Sequence, residues 1–189
     1  MNGTLAEALD YLARPDGALR DDLDGLDQVA RGLQAAIRME RDRGAILAFA
    51  EASAVLSALL RRGAEVGADQ EAPARFEQAI AIAVNARTAV QEEVLRVGFS
   101  DMNTAAYTRL AHEGGLAALR WAEREAGPRK PELLGQALDL LERAVGGYEQ
   151  LDRLPERQAA FEQYWRAREL LGGIAPEGSQ PGPDEPREG

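Results

Sequence analysis

The chain has 189 residues, no cysteine, and a net charge of −10 with a pI near 4.7. The length suits one domain whose core needs no covalent staple. The absent cysteine excludes disulfides, thiolate catalysis and Cys-ligated metals, and the negative charge makes nucleic acid an unfavourable partner.

Ala, Leu, Glu, Arg and Gln dominate, a helix-forming composition, and no alternating β-branched run bounded by turn residues occurs. The pattern predicts an all-α fold of about six to seven helices, stacked as antiparallel hairpins or a helical bundle. Thr4 and Glu7 fit a capping box, followed by a short helix to about residue 13. Arg14-Pro15-Asp16-Gly17 then breaks the chain. A second helix is predicted over 18–43. Its Leu19, Leu23, Leu26, Ala30, Leu33 and Ile37 recur at steps of 4, 3, 4, 3, 4, a heptad-type seam. That seam calls for an antiparallel helix within the chain; the competing use of Leu19, Leu23, Leu26, Leu33 and Ile37 is a homodimer contact.

Gly44 marks a break or a kink, leaving open whether the second and third helices are one bent rod. The third helix, over 44–60, carries Glu51 as its only charge and is apolar nearly all round, which predicts a helix buried at the centre of the domain. Its 17 residues fall short of the ~20 apolar residues of a membrane span, so no membrane segment is expected. Arg61-Arg62-Gly63 reads as its C-terminus.

A polar link over 67–73 leads to a fourth helix over 72–97, whose stripe is Phe76, Ala79, Ala83, Ala86, Val90, Val94 and Val97. The segment 98–102 breaks the chain, with Ser100 or Asp101 as N-cap of a fifth helix over 102–126. Gly114 and Gly115 lie in mid-course of that helix, where each costs ~1 kcal/mol relative to Ala. Ala111, Gly115, Ala118 and Ala122 form a stripe of small residues, so close approach of another helix is expected to offset that cost. After the break at 127–131, the sixth and seventh helices are predicted over 131–152 and 155–171. Residues 1–172 thus read as one helical domain. Residues 173–189 read as a disordered acidic tail rich in Pro and Gly, which holds −3 of the net charge. The N-terminus has no basic segment followed by a continuous apolar run, so no secretory signal is read and a cytoplasmic location is expected.

Ala137, Leu141 and Ala144, and again Ala160, Tyr164 and Ala167, carry the pattern small-x3-bulky-x2-small. This resembles the second-helix signature of the tetratricopeptide repeat family, and Tyr107, Leu110 and Ala111 resemble part of its first-helix signature. The resemblance lies within 107–172 and departs from the family in spacing: 30 residues separate Tyr107 from Ala137, and no period of 34 runs through the chain. It implies stacked helical hairpins with a protein- or peptide-binding surface and no catalysis.

His112 is the sole histidine, without the Glu-x-x-His pairs of helical-bundle metal sites or a zinc-protease pattern. The acidic run Asp21, Asp22, Asp24 has Arg20 and Arg31 where a calcium loop needs carboxylates, so it reads as the acidic turns of a helix. No phosphate-binding glycine loop and no nucleophile-elbow sequence is present. No cofactor and no metal are expected. Tyr148, Phe161, Tyr164 and Trp165 cluster late in the chain, with Trp121 just upstream. These aromatics either fill a helix hairpin or anchor a partner; Trp121, Tyr148, Tyr164 and Trp165 are the candidate binding residues. The sequence therefore points to a non-catalytic scaffold or adaptor that binds a protein or peptide. The alternative is a carrier or sensor with an apolar pocket between its Ala-rich helices.

Overall fold

The computed structural model describes residues 2–174. Among them are eight α-helices and no strand: α1 (Asn2–Ala13), α2 (Asp16–Asp21), α3 (Leu23–Asp42), α4 (Ile46–Val66), α5 (Ala72–Val97), α6 (Asp101–Arg124), α7 (Lys130–Gln150) and α8 (Leu154–Gly172). From α3 onward each helix packs on the next through a short connection, giving stacked antiparallel hairpins. The expected tail over 173–189 lies outside the described residues except for Gly173 and Ile174.

The helix predicted over 18–43 is two helices. Asp22 divides them because its carboxylate accepts from the Gly25 backbone N–H at 3.2 Å and caps α3. The Tyr11 hydroxyl and the Arg14 guanidinium donate to the same carboxylate at 2.6 and 2.9 Å, which fastens α1 to the α2–α3 junction. Thr4 lies inside α1, not at its cap, and its methyl stands 3.3 Å from where a Cβ at Gly32 would be. The second break, at Gly44, is complete: its φ of +69° is costly for any residue with a Cβ, and it ends one helix before the next begins.

α4 is the central helix, packed against α1, α2, α3, α5 and α6. Its buried serines are satisfied locally or by a neighbour: the Ser53 hydroxyl donates to the Phe49 carbonyl and the Ser57 hydroxyl to the Ala79 carbonyl. The helix runs past Arg61-Arg62-Gly63 to Val66. Gly63 is an interior packing position, because a Cβ there would stand 3.2 Å from Leu26 and 3.0 Å from the Arg75 guanidinium. Arg61 is held in the fold by Glu65 at 2.9 Å and by Glu113 of α6 at 3.4 Å. No described helix is long and apolar enough to cross a membrane.

The heptad seam is consumed inside the chain: Leu19, Leu26 and Leu33 are fully buried, and Leu23 and Ile37 are partly so. The α5 stripe is buried from Phe76 to Val94, but Val97 is exposed where the helix runs out beyond its neighbours. Ser100 caps α6 in a reciprocal box with Asn103. α6 continues unbroken through Gly114 and Gly115. A Cβ on Gly115 would lie 2.8 Å from Leu141 Cγ, and one on Gly114 would lie 3.1 Å from Ala83 and 3.3 Å from Leu140. The two glycines thus let α7 and α5 close on α6, the role expected of the small-residue stripe.

Candidate functional site

The four aromatics picked out by sequence do not share a surface. Trp121 is 5 % exposed and stacks nearly parallel to Phe76, with ring centroids 6.4 Å apart, while Arg129 lies over it at 5.2 Å. Tyr148 is also 5 % exposed and belongs to a small cluster with Ala111, Ala144 and Ala160. Its hydroxyl is 3.1 Å from His112 Nδ1, and His112 Nε2 is 2.9 Å from Gln163 Oε1. An amide oxygen only accepts, so Nε2 carries the proton and Nδ1 accepts from Tyr148. Burial pushes the Tyr148 phenol up to about 12. His112 is therefore a packing residue that ties α6, α7 and α8 together. Tyr164 is half-buried against the main core. Only Trp165, 43 % exposed, faces outward; Phe161 meets it edge-on at 6.0 Å and Arg168 lies over its ring at 5.0 Å.

Two separate depressions lie where α5 and α7 pack on α6. The first, of about 260 Å³, is lined by Asn85 of α5, Trp121 of α6, and Leu133 and Gln136 of α7, with the acidic Glu77 and Glu132 and the basic Arg129 also on its walls. The second, of about 330 Å³, is lined by Gln91 and Val94 of α5, Tyr107 of α6, and Arg143 and Gln150 of α7. Between them Ala83 and Leu140, both buried, close over Gly114. Arg87 stands beside the second depression, its guanidinium over the Tyr107 ring at 5.4 Å and donating one long hydrogen bond, 3.5 Å, to the Tyr107 hydroxyl. Its Nε is buried without a partner. The Asp139 carboxylate pairs with Arg143 at 2.9 Å and is held below the usual carboxylate range by Arg143 first and by Arg87 as a further charge.

The second depression adjoins an apolar corner at the α5–α6 turn. Phe99 is 82 % exposed and Leu95 81 %, with Val97 and Met102 also outside the core. Phe99 forms part of the lining of the second depression. Sequence reasoning treated 98–102 only as a break and passed over this corner and Arg87. The available signal was that Leu95, Val97 and Phe99 alternate at a step of two around the end of the α5 stripe, so no helical face can bury all three.

Other carboxylates pair with cations or hydroxyls within the fold. Asp22 is drawn below the usual carboxylate range by the Tyr11 hydroxyl first and the Arg14 guanidinium second. Asp139 and Glu93 are drawn down by Arg143 and Arg96 in the same way. Among the described residues no group of three or more His, Asp or Glu side chains is placed to hold a metal ion. No protein-family model, no curated protein and no solved structure matches the chain.

Proposed function

We propose that the protein is a non-catalytic scaffold or adaptor that binds a protein or peptide through its late helices. The observation that carries this reading is the exposed apolar corner of Leu95, Val97, Phe99 and Met102 beside the second depression between α5, α6 and α7. Large apolar side chains gathered at one corner beside a concave surface mark interaction sites more often than isolated ones do. The tetratricopeptide-like residues fit the same role, since Ala137, Leu141 and Ala144 pack α7 into a stack of hairpins. Because Leu19, Leu26 and Leu33 are buried within one chain, the reading places no second copy on that seam. The test is native mass spectrometry of protein purified gently from its host, alongside a Phe99→Asp variant. An adduct of protein or peptide mass that the variant loses supports the reading; a bare chain in both samples counts against it.

The second reading, a small-ligand carrier, has one observation of its own. A depression of about 340 Å³ between α4 and α6 is walled by Leu47, Ala50, Ala54 and Met102, with Arg109 at its edge. An adduct of small-molecule mass, lost in Ala54→Trp and kept in Phe99→Asp, would select this reading over the first.

A further inference from the structure

We infer that the outward face of α8 is a contact for a second copy of this chain, which lays its own α8 antiparallel on it about a two-fold axis at Gln163. The inference is separate from the protein-binding reading, whose apolar corner at the α5–α6 turn this contact leaves free.

α8 ends the stack. Each helix from α3 to α7 is followed by one that packs on it, whereas no described helix follows α8, which leans on α7 and more lightly on α6. Its inward side holds Ala160, Tyr164 and Ala167. On the opposite side Leu154, Gln158, Phe161, Trp165, Arg168 and Gly172 recur at steps of 4, 3, 4, 3, 4. That is the spacing of the α3 seam, which other helices of the chain cover. On α8 the same spacing is uncovered: all six residues are exposed, Leu154 to 61 % and Phe161 to 47 %. A helix with apolar residues on two sides has two faces to bury, and the fold buries one.

The occupant follows from the symmetry of this face. Residue 163 is its centre: Phe161 and Trp165 lie two residues to either side, Gln158 and Arg168 five, and Leu154 and Gly172 nine. In an antiparallel pair of identical helices, residues equally far from the centre on the two copies meet. Phe161 of each copy then meets Trp165 of the other, and four rings fill the middle of the contact. In the next layers the Gln158 amide oxygen accepts from the Arg168 guanidinium of the other copy. At the ends Leu154 projects over Gly172, where a Cβ would have nothing within 4 Å. Large thus meets small, and donor meets acceptor. A parallel pair would instead set Arg168 on Arg168 and Gly172 on Gly172, a repulsion and a gap.

The contact is short. The 19 residues of α8 span ~28 Å at ~1.5 Å each, and one helix face of that length falls below the ~1,600 Å² of a standard interface. The pair therefore forms in the micromolar range, and in dilute protein α8 is held by its own chain alone.

The test is sedimentation equilibrium of the full chain from about 1 μM to about 1 mM, with three variants alongside. The expected result is a monomer–dimer equilibrium in the unaltered chain. Trp165→Glu should weaken it at least tenfold and keep its melting temperature in dilute solution. Gln158→Glu should tighten it at least threefold, because each copy then sets a carboxylate against Arg168 of the other. Phe99→Asp should leave it unchanged, so this inference and the protein-binding reading fail separately. A monomer at every concentration overturns the inference. So does a dimer that persists in Trp165→Glu, and a dimer lost in Phe99→Asp moves the contact to the α5–α6 corner. The chain has no cysteine, so register is read by mixing Leu154→Cys and Gly172→Cys proteins under oxidation. The mixed disulfide should dominate; disulfides between like copies overturn the antiparallel arrangement.

Discussion

At the scale of single residues, the N-terminal helices are fixed by Asp22. Its carboxylate receives the Tyr11 hydroxyl, the Arg14 guanidinium and the Gly25 N–H, and a Cβ at Gly25 would run into both Tyr11 and Asp22. The folded state thus prefers the ionised carboxylate, whose pKa is lowered. The associated stability is present above the unfolded pKa of about 3.9 and is lost as pH falls through the lower folded value. Asp22→Asn should therefore be less stable than the parent near neutrality, and the gap should narrow in acid. Urea melts from about pH 6 down to about pH 3 check this; parallel losses in both proteins would mean that another carboxylate governs the acid limb. Tyr148 has the opposite sign. Burial raises its pKa to about 12, so its contribution is complete below the ordinary tyrosine value of about 10 and is lost as pH rises through about 12. Tyr148→Phe keeps the ring but leaves His112 Nδ1 without its donor, at a cost of about 1 kcal/mol. In absorbance titration, the variant should lack the last phenolate step seen in the parent.

At the scale of elements, the same residue type has opposite effects on neighbouring helices. Gly115 lies where a Cβ would press on Leu141 Cγ at 2.8 Å and Leu140 Cβ at 3.1 Å. Gly115→Ala gains ~1 kcal/mol of helix propensity, but overpacking a rigid interface costs ~1–3 kcal/mol, so the net change is destabilising. Gly135, on the exposed side of α7, has nothing within 4 Å of its would-be Cβ. Gly135→Ala should stabilise by up to ~1 kcal/mol. Denaturant melts of the two variants give changes of opposite sign if close packing explains the α6 glycines. That close approach was legible in sequence, because Ala111, Gly115, Ala118 and Ala122 share one face at helical spacing. The division at Asp22 was not, since the heptad seam runs through it unbroken and the carboxylate that caps α3 on Gly25 is held in place by Tyr11 of α1 and by Arg14 just after it. Long-range contacts of this kind leave no local period to read. Arg87 stayed hidden for a related reason: in sequence it is one arginine among many, and only the fold sets it over the Tyr107 ring with its Nε buried and unpartnered. The aromatics show the limit from the other side, because composition marks Trp121 and Trp165 alike while packing buries one and leaves the other 43 % exposed.

At the scale of the whole molecule, burial is graded along the stack. Fourteen of the 21 residues of α4 are buried, among them Leu56 and Leu59, each contributing ~1.5–3 kcal/mol relative to exposure. α8 has 19 residues and buries only Ala160 and Ala167 completely. It leans mainly on α7, with half-buried Tyr164, Leu170 and Leu171, the His112–Gln163 hydrogen bond and the Arg166–Glu123 ion pair as its other ties. Releasing α8 uncovers little of the core, whereas releasing α4 opens the faces of five other helices at once. Local opening free energies follow such differences in buried apolar contact. Amide hydrogen exchange should therefore show residues 160–168 less protected than residues 52–60 by at least about a hundredfold, with α3, α5 and α6 grouped near α4. Trp165 fluorescence should change at lower denaturant than far-ultraviolet circular dichroism, because Trp165 reports the helix that opens first. A single protection level from α3 through α8, with coincident melts, would instead mean that the α7–α8 contact is as strong as the central packing. The exposed face of α8 would then sit on a rigid platform, and Phe161 and Trp165 would compete with the α5–α6 corner as the place where a partner docks.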